Sequence, residues 1–218
     1  MSASVSNASS LVISYLGLRK AVGILGTLLP FVLAIGLFII FGKGLQASLS
    51  DYYHTEMRDV FVGTLCAIGV FLLSYRGYER KDDIAGNLAF VFAIGTALFP
   101  TTPEVNPLPS DKVIGVMHFV FAGLFFITLA YFSLGLFTKT DPTKTPTPQK
   151  LMRNRVYVVC GYTILAAIAL IAIYIVLPSE IQTYFDQIKP VFWLESIAVV
   201  AFGISWLVKG EAILQDET

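Results

Sequence analysis

The chain has 218 residues, 56% of them hydrophobic and only 14% charged, with a mean hydropathy of +0.73. Soluble domains carry roughly 25% charged residues, so this composition excludes an ordinary water-soluble globule and points to a membrane protein. The formal net charge of zero leaves no bulk basic signal for nucleic acid.

Met1 to Ser10 is polar, has no basic residue, and lacks the basic–apolar–small order of a cleavable signal peptide. Asn7-Ala8-Ser9 matches a glycosylation sequon, a pattern too short to carry weight. Ser10–Lys20 reads as a short interfacial helix or as the frayed start of the first span. Six apolar runs follow, at about 21–41, 60–75, 87–99, 113–137, 156–177 and 191–208. At about 1.5 Å per residue, runs of this kind cross roughly 30 Å of hydrocarbon. The second and third are short, and are expected to extend into flanking polar residues, to tilt, or to be partly buried. The runs are continuous rather than alternating, which implies helices and not strands. Pro30 is expected to kink the first span. Cys66 and Cys160 lie inside apolar runs, where core packing is expected rather than a disulfide. The expected fold is all-α: one polytopic transmembrane domain, 1–218, with six membrane-spanning helices.

The basic residues give this bundle a direction. Arg19, Lys20, Arg76, Arg80, Lys81, Lys139, Lys144, Lys150, Arg153, Arg155 and Lys209 fall on one side, eleven of the fifteen; Lys43, Arg58, Lys112 and Lys189 fall on the other. The positive-inside rule then puts both termini in the cytoplasm, and an even number of spans agrees. The expected location is the cell membrane, multi-pass, in a bacterium the inner membrane. Membrane lipids are the expected partners, with a homo-oligomer or a protein partner left open. Thr138–Gln149, rich in Pro and Thr, reads as a cytoplasmic linker dividing the spans three and three. Such a division suggests an inverted repeat, but the halves share no sequence motif.

With direction assigned, polar residues gather at the outer side. The run Ser48-Leu49-Ser50-Asp51-Tyr52-Tyr53-His54-Thr55-Glu56-Met57-Arg58-Asp59 leads into span two. His118 lies about 9 Å inward along span four, and Glu195 about 7 Å inward along span six. Glu104, Asn106 and Asp111 occupy the outer loop between spans three and four. Helical spacing places Asp59, Gly63 and Cys66 on one stripe of span two. Asp111, Gly115, His118 and Ala122 share a stripe of span four, and Glu195, Ala198, Phe202 and Ser205 one of span six. Small faces let membrane helices approach, so these stripes are expected to point into the bundle. Arg58 and Asp59 also fit simple interface anchors, and His118 and Glu195 also fit a structural hydrogen bond. Tyr52 and Tyr53 read as interfacial aromatics, and Trp193 and Trp206 as belt residues.

Ionisable groups near hydrocarbon are costly and tend to mark function. His54, His118 and Glu195 form a candidate ligand set for a divalent metal such as zinc. Asp51 or Asp59 would then orient a histidine or act as general base, and Ser50 and Arg58 complete the candidate catalytic set. No HExxH is present. Bis-histidine haem ligation has nothing behind it beyond the number of histidines.

Ser50-x3-His54 resembles the Ser-x3-His element of the alkaline ceramidase and adiponectin-receptor superfamily, CREST, of seven-helix zinc hydrolases. The resemblance implies Ser50 and His54 as site residues, with Asp59 as acidic partner. The paired histidines of the last helix in that superfamily have no counterpart here, where span six offers Glu195 and span four His118. The runs RDVFVGTLCAIGVFLLSYRGY and FWLESIAVVAFGISWLVKGE resemble a small bacterial six-helix membrane family of unknown function, which implies a fold and no activity.

Three functions compete: a metal-dependent hydrolase of a lipid or other amphiphile, a small ion or solute transporter, and a non-enzymatic sensor or partner subunit with an outer ligand site.

Overall fold

The computed structural model describes residues 2–77, 79–140, 143 and 145–214, with side chains from residue 15 onward. Lys144 and both chain ends, Met1 and 215–218, lie outside the described residues. The described chain is helical throughout, without strands.

Helix α1 runs from Ser2 to Phe41, α2 from Arg58 to Leu73, α3 from Arg80 to Leu98 and α4 from Pro109 to Tyr131. A π turn, Phe132–Leu136, continues α4. Then come α5, Pro148–Ile175, the short α6, Ser179–Phe185, and α7, Pro190–Lys209. Four segments are long and apolar enough to cross a membrane: Tyr15–Phe41, Pro109–Leu136, Pro148–Ile175 and Pro190–Lys209. Helix α2 has 16 residues, and α3 has 19 with Arg80, Lys81, Asp82 and Asp83 at its start.

Local chemistry explains the boundaries. Helix α1 ends in an αL cap: Gly42 has φ +65°, its N–H donates to Phe38 O at 3.0 Å, and the Lys43 N–H donates to Leu37 O at 3.3 Å. Only a residue tolerant of positive φ closes a helix this way. Helix α3 starts with the Asp82 carboxylate accepting from the Glu79 N–H at 3.2 Å. Helix α5 starts with Thr147 Oγ1 accepting from the Lys150 N–H at 3.1 Å and Pro148 in the first turn. It therefore begins well before the apolar run and carries Lys150, Arg153 and Arg155 on its first turns.

The long helices pack mainly on their neighbours in the chain, and α7 closes the ring against α1 and α5. The α1–α7 contact depends on missing side chains. A Cβ on Gly203 would meet Thr27 Oγ1 at 2.3 Å and Thr27 N at 2.5 Å, and one on Gly23 would meet Leu207 N at 2.7 Å. Close backbone approach is how membrane helices gain dispersion energy when lipid supplies no hydrophobic drive. On α3, Ala85, Ala89, Ala93 and Ala97 recur every fourth residue and are all buried, giving a narrow face on which α2 can sit. The half of the ring toward the end of α7 is filled by aromatics. Trp206 meets Phe137 at 5.2 Å, Tyr75 at 5.5 Å, Phe132 at 5.6 Å and Phe202 at 6.1 Å between ring centroids. The π turn adds a residue to the helical repeat, so that Phe132, Ser133, Leu136 and Phe137 all face inward.

Three expectations change, at Trp206, at Tyr52 and on the stripe of α2. Trp206 is no belt residue: it is 1% exposed and central to this aromatic plug, whereas Trp193 is exposed. Tyr52 is fully buried and packs on Phe192 at 6.2 Å; burial raises its phenol above the ordinary value. The Asp59–Gly63 stripe of α2 faces outward, and the buried face is instead Phe61, Leu65, Ile68, Gly69 and Leu72. Large apolar residues fill most of the inner face of α2, with Gly69 set against Ala93 of α3. Helix α1 passes through Pro30 without interruption, and Ser10–Lys20 is continuous with it. Both cysteines are free thiols.

Candidate functional site: the outer cap

The segment between α1 and α2 folds back over the end of the bundle where α1 finishes and α7 begins. Ser48-x2-Asp51 starts a 3-10 turn, Ser50–His54, with Ser48 Oγ accepting from the Asp51 N–H at 3.0 Å. The turn docks on the first turn of α7. There the Phe192 N–H, which has no partner within its own helix, donates to Ala47 O at 3.0 Å.

Glu195, one turn further along α7, fastens the dock. Its carboxylate accepts from the Leu49 N–H at 2.7 Å and the Ser50 N–H at 3.4 Å, and Ser50 Oγ donates to it at 3.5 Å. Charge-assisted bonds to backbone N–H groups are stronger than neutral ones. A carboxylate placed over the first N–H groups of a helical turn satisfies donors that the turn cannot.

The loop between α3 and α4 closes the other side. Thr101 Oγ1 donates to Asp51 Oδ1 at 2.7 Å, and His54 Nε2–H donates to Thr101 O at 2.8 Å. His118, 1% exposed on α4, donates from Nδ1–H to Phe99 O at 2.6 Å. Gly115 brings α4 close enough that a Cβ there would meet Thr102 Oγ1 at 2.1 Å. His118 lies within electrostatic reach of Asp51 and His54, and Glu195 within reach of Asp51.

Ser50, Asp51, His54, His118 and Glu195 thus belong to one polar cap. Arg58 and Asp59 do not: both are exposed, and Arg58 turns to Tyr53, donating to its hydroxyl at 2.5 Å and covering its ring at 4.2 Å. Thr101 and the carbonyls of Phe99 and Thr101 were invisible to residue-type reasoning, because a carbonyl carries no sequence signature. The Ser48-x2-Asp51 pattern was a usable sign of a helix start.

The groups do not fit a zinc site. Among the described residues, no three His, Cys, Asp or Glu side chains converge closely enough to hold a metal ion. His54 and His118 bond different carbonyls, and Glu195 spends its oxygens on the turn. The Ser50 hydroxyl meets the Glu195 carboxylate at 3.5 Å, whereas His54 bonds the Thr101 carbonyl. Beneath the cap, Leu29, Phe61, Leu65 and Phe125 line a half-open pocket of about 30 Å³ that Ser50, Thr96 and Glu195 border. That is room for a water or a small ion.

No protein-family model, curated protein or solved structure matches this chain.

Proposed function

We propose that this is a non-enzymatic, multi-pass protein of the cell membrane, in a bacterium the inner membrane, with six spans and both termini in the cytoplasm. It serves as a sensor or partner subunit, and its responsive part is the outer cap. The observation that carries this reading is the single carboxylate of Glu195, on α7, holding the turn that joins α1 to α2. A cation, proton or partner donor that competes for that carboxylate releases the turn and exposes the cavity below it.

Two features favour this role over the others. The aromatic plug around Trp206 blocks the inner half of the ring, which counts against a transport path. The separate commitments of Ser50, His54 and His118 count against assembled hydrolytic chemistry. Six spans are supported by the closed ring, in which α2 and α3 pack beside longer apolar helices.

The test is hydrogen exchange on protein in nanodiscs. Glu195→Gln keeps the shape but weakens the acceptor, and the Leu49 and Ser50 amides should exchange roughly tenfold faster. Unchanged exchange there removes the latch. Zinc-dependent lipid hydrolysis, or cation flux in liposomes, by the wild-type protein and lost in Glu195→Gln overturns the non-enzymatic reading.

A further inference from the structure

Segments Pro148–Ile175 and Pro190–Lys209 are each long and apolar enough to cross a bilayer, and only residues 176–189 join them. Helix α6, within that connection, therefore stands at the level where two spans leave the membrane.

The helix has three distinct faces. Gln182 and Asp186, one turn apart, fasten it to the end of α5. The Gln182 amide donates to the carbonyls of Tyr174 at 3.2 Å, Ile175 at 3.1 Å and Leu177 at 2.9 Å, and the last carbonyls of a helix have no donors of their own. The Tyr174 hydroxyl donates to Asp186 Oδ1 at 2.7 Å. Glu180 and Thr183 make a second face, polar and exposed. Ile181, Tyr184 and Phe185 make the third, at the spacing of three and four that aligns side chains along a helix. All three are exposed, Tyr184 by 80%. The stripe lies on a different side of α6 from the residues that hold it, and none of the described residues buries it.

Position and composition say what covers it. Just before α6, Ile173, Ile175 and Val176 are exposed too, so the apolar surface of the span continues along the chain into the stripe. Trp193, in the first turn of α7, is also exposed, and Tyr and Trp favour the headgroup level. The charges give no electrostatic anchor: residues 179–189 carry Glu180 and Asp186 against the single Lys189, whereas surface helices drawn to anionic lipid are rich in Lys and Arg.

We propose that α6 is an interfacial helix whose Ile181, Tyr184 and Phe185 face is seated in the headgroup–acyl boundary of the leaflet on the cap side, held by apolar burial and indifferent to headgroup charge. This surface does not depend on the Glu195 latch.

Nitroxide accessibility on the full chain in phosphatidylcholine nanodiscs tests it. Single labels are placed by Ile181→Cys, Phe185→Cys, Glu180→Cys and Thr183→Cys in a Cys66→Ser, Cys160→Ser background. All four sites are exposed, so none of these changes removes a core contact. Collisions with oxygen, which concentrates in hydrocarbon, are compared with collisions with a water-soluble nickel chelate. The labels at 181 and 185 should lie about 5–10 Å into the headgroup–acyl boundary, and those at 180 and 183 should stay in water. Nickel-dominated collisions at 181 and 185 overturn the proposal. Protection of both sites from oxygen and nickel alike also overturns it, and assigns the face to a second copy or another protein. Adding phosphatidylglycerol should leave the depths unchanged. A depth reached only with phosphatidylglycerol overturns the apolar basis and assigns the contact to Lys189.

Discussion

Two lysine–carboxylate pairs of similar length differ in what surrounds them. Lys43 Nζ meets Glu56 Oε1 at 2.5 Å with both side chains largely in the open. Its hydrogen bond holds the Glu56 carboxyl below the usual range, but exposed pairs add little to stability. Lys139 Nζ meets Asp82 Oδ1 at 2.7 Å, and Asp82 is only 2% exposed. Removing a cation from a buried carboxylate costs about 1–3 kcal/mol, so Lys139→Met should lower unfolding stability measurably while Lys43→Met should match wild type. Asp82 raises Lys139 above the ordinary lysine value of 10.5. The pair's contribution is therefore complete at neutral pH and is lost only as pH rises through the raised value. Denaturation of both proteins across alkaline pH checks this: the gap between wild type and Lys139→Met should close only beyond the ordinary lysine range.

Residue chemistry was partly legible before the fold was known. The inward placement of His118 and Glu195 follows from helical spacing and from the cost of putting charge against lipid, and both face the bundle or its cap. What those side chains bond was not legible. His54 and His118 bond backbone carbonyls at the end of α3 and just past it, and only tertiary structure says which carbonyls turn inward. The metal-ligand expectation came from residue types alone and did not allow for that competition.

At the scale of elements, glycines separate contact from open surface. Gly203 and Gly63 sit on similar apolar helices, yet a Cβ at 203 would strike Thr27 of α1 while one at 63 would meet nothing within 4 Å. Gly203→Ala should destabilise the protein by about 1–3 kcal/mol, and Gly63→Ala should be neutral or stabilising by up to about 1 kcal/mol. Thermal unfolding in detergent distinguishes them. The same contrast explains why α2 was misread. Gly63 lies on the outward face, and bulky Phe61, Leu65, Ile68 and Leu72 fill most of the inner one beside Gly69, because α3 supplies much of the small partner surface through Ala85, Ala89, Ala93 and Ala97. One helix's sequence does not tell which partner carries the small side. The short α6 was missed for a related reason: it has no buried residue, and its apolar stripe is too short to mark it.

At the scale of the whole molecule, helical class and the four strongest spans were readable from apolar length, since hydrocarbon thickness sets a hard minimum. Helices α2 and α3 fall near that minimum, and the proposal that they cross the membrane rests on packing within the ring and on the sorting of Lys and Arg. The hairpin they form decides between six spans and four. Its turn lies at Arg80, an exposed residue, and its flanks at the exposed Leu45 and Val105. The most direct measurement is labelling of single cysteines with a membrane-impermeant maleimide in intact cells. The background is Cys66→Ser, Cys160→Ser. Leu45→Cys, Val105→Cys and Ile188→Cys should label from outside, and Arg80→Cys only after the membrane is opened. Labelling of Arg80→Cys in intact cells, or protection of Val105→Cys, would contradict six spans and the outer placement of the Glu195 cap.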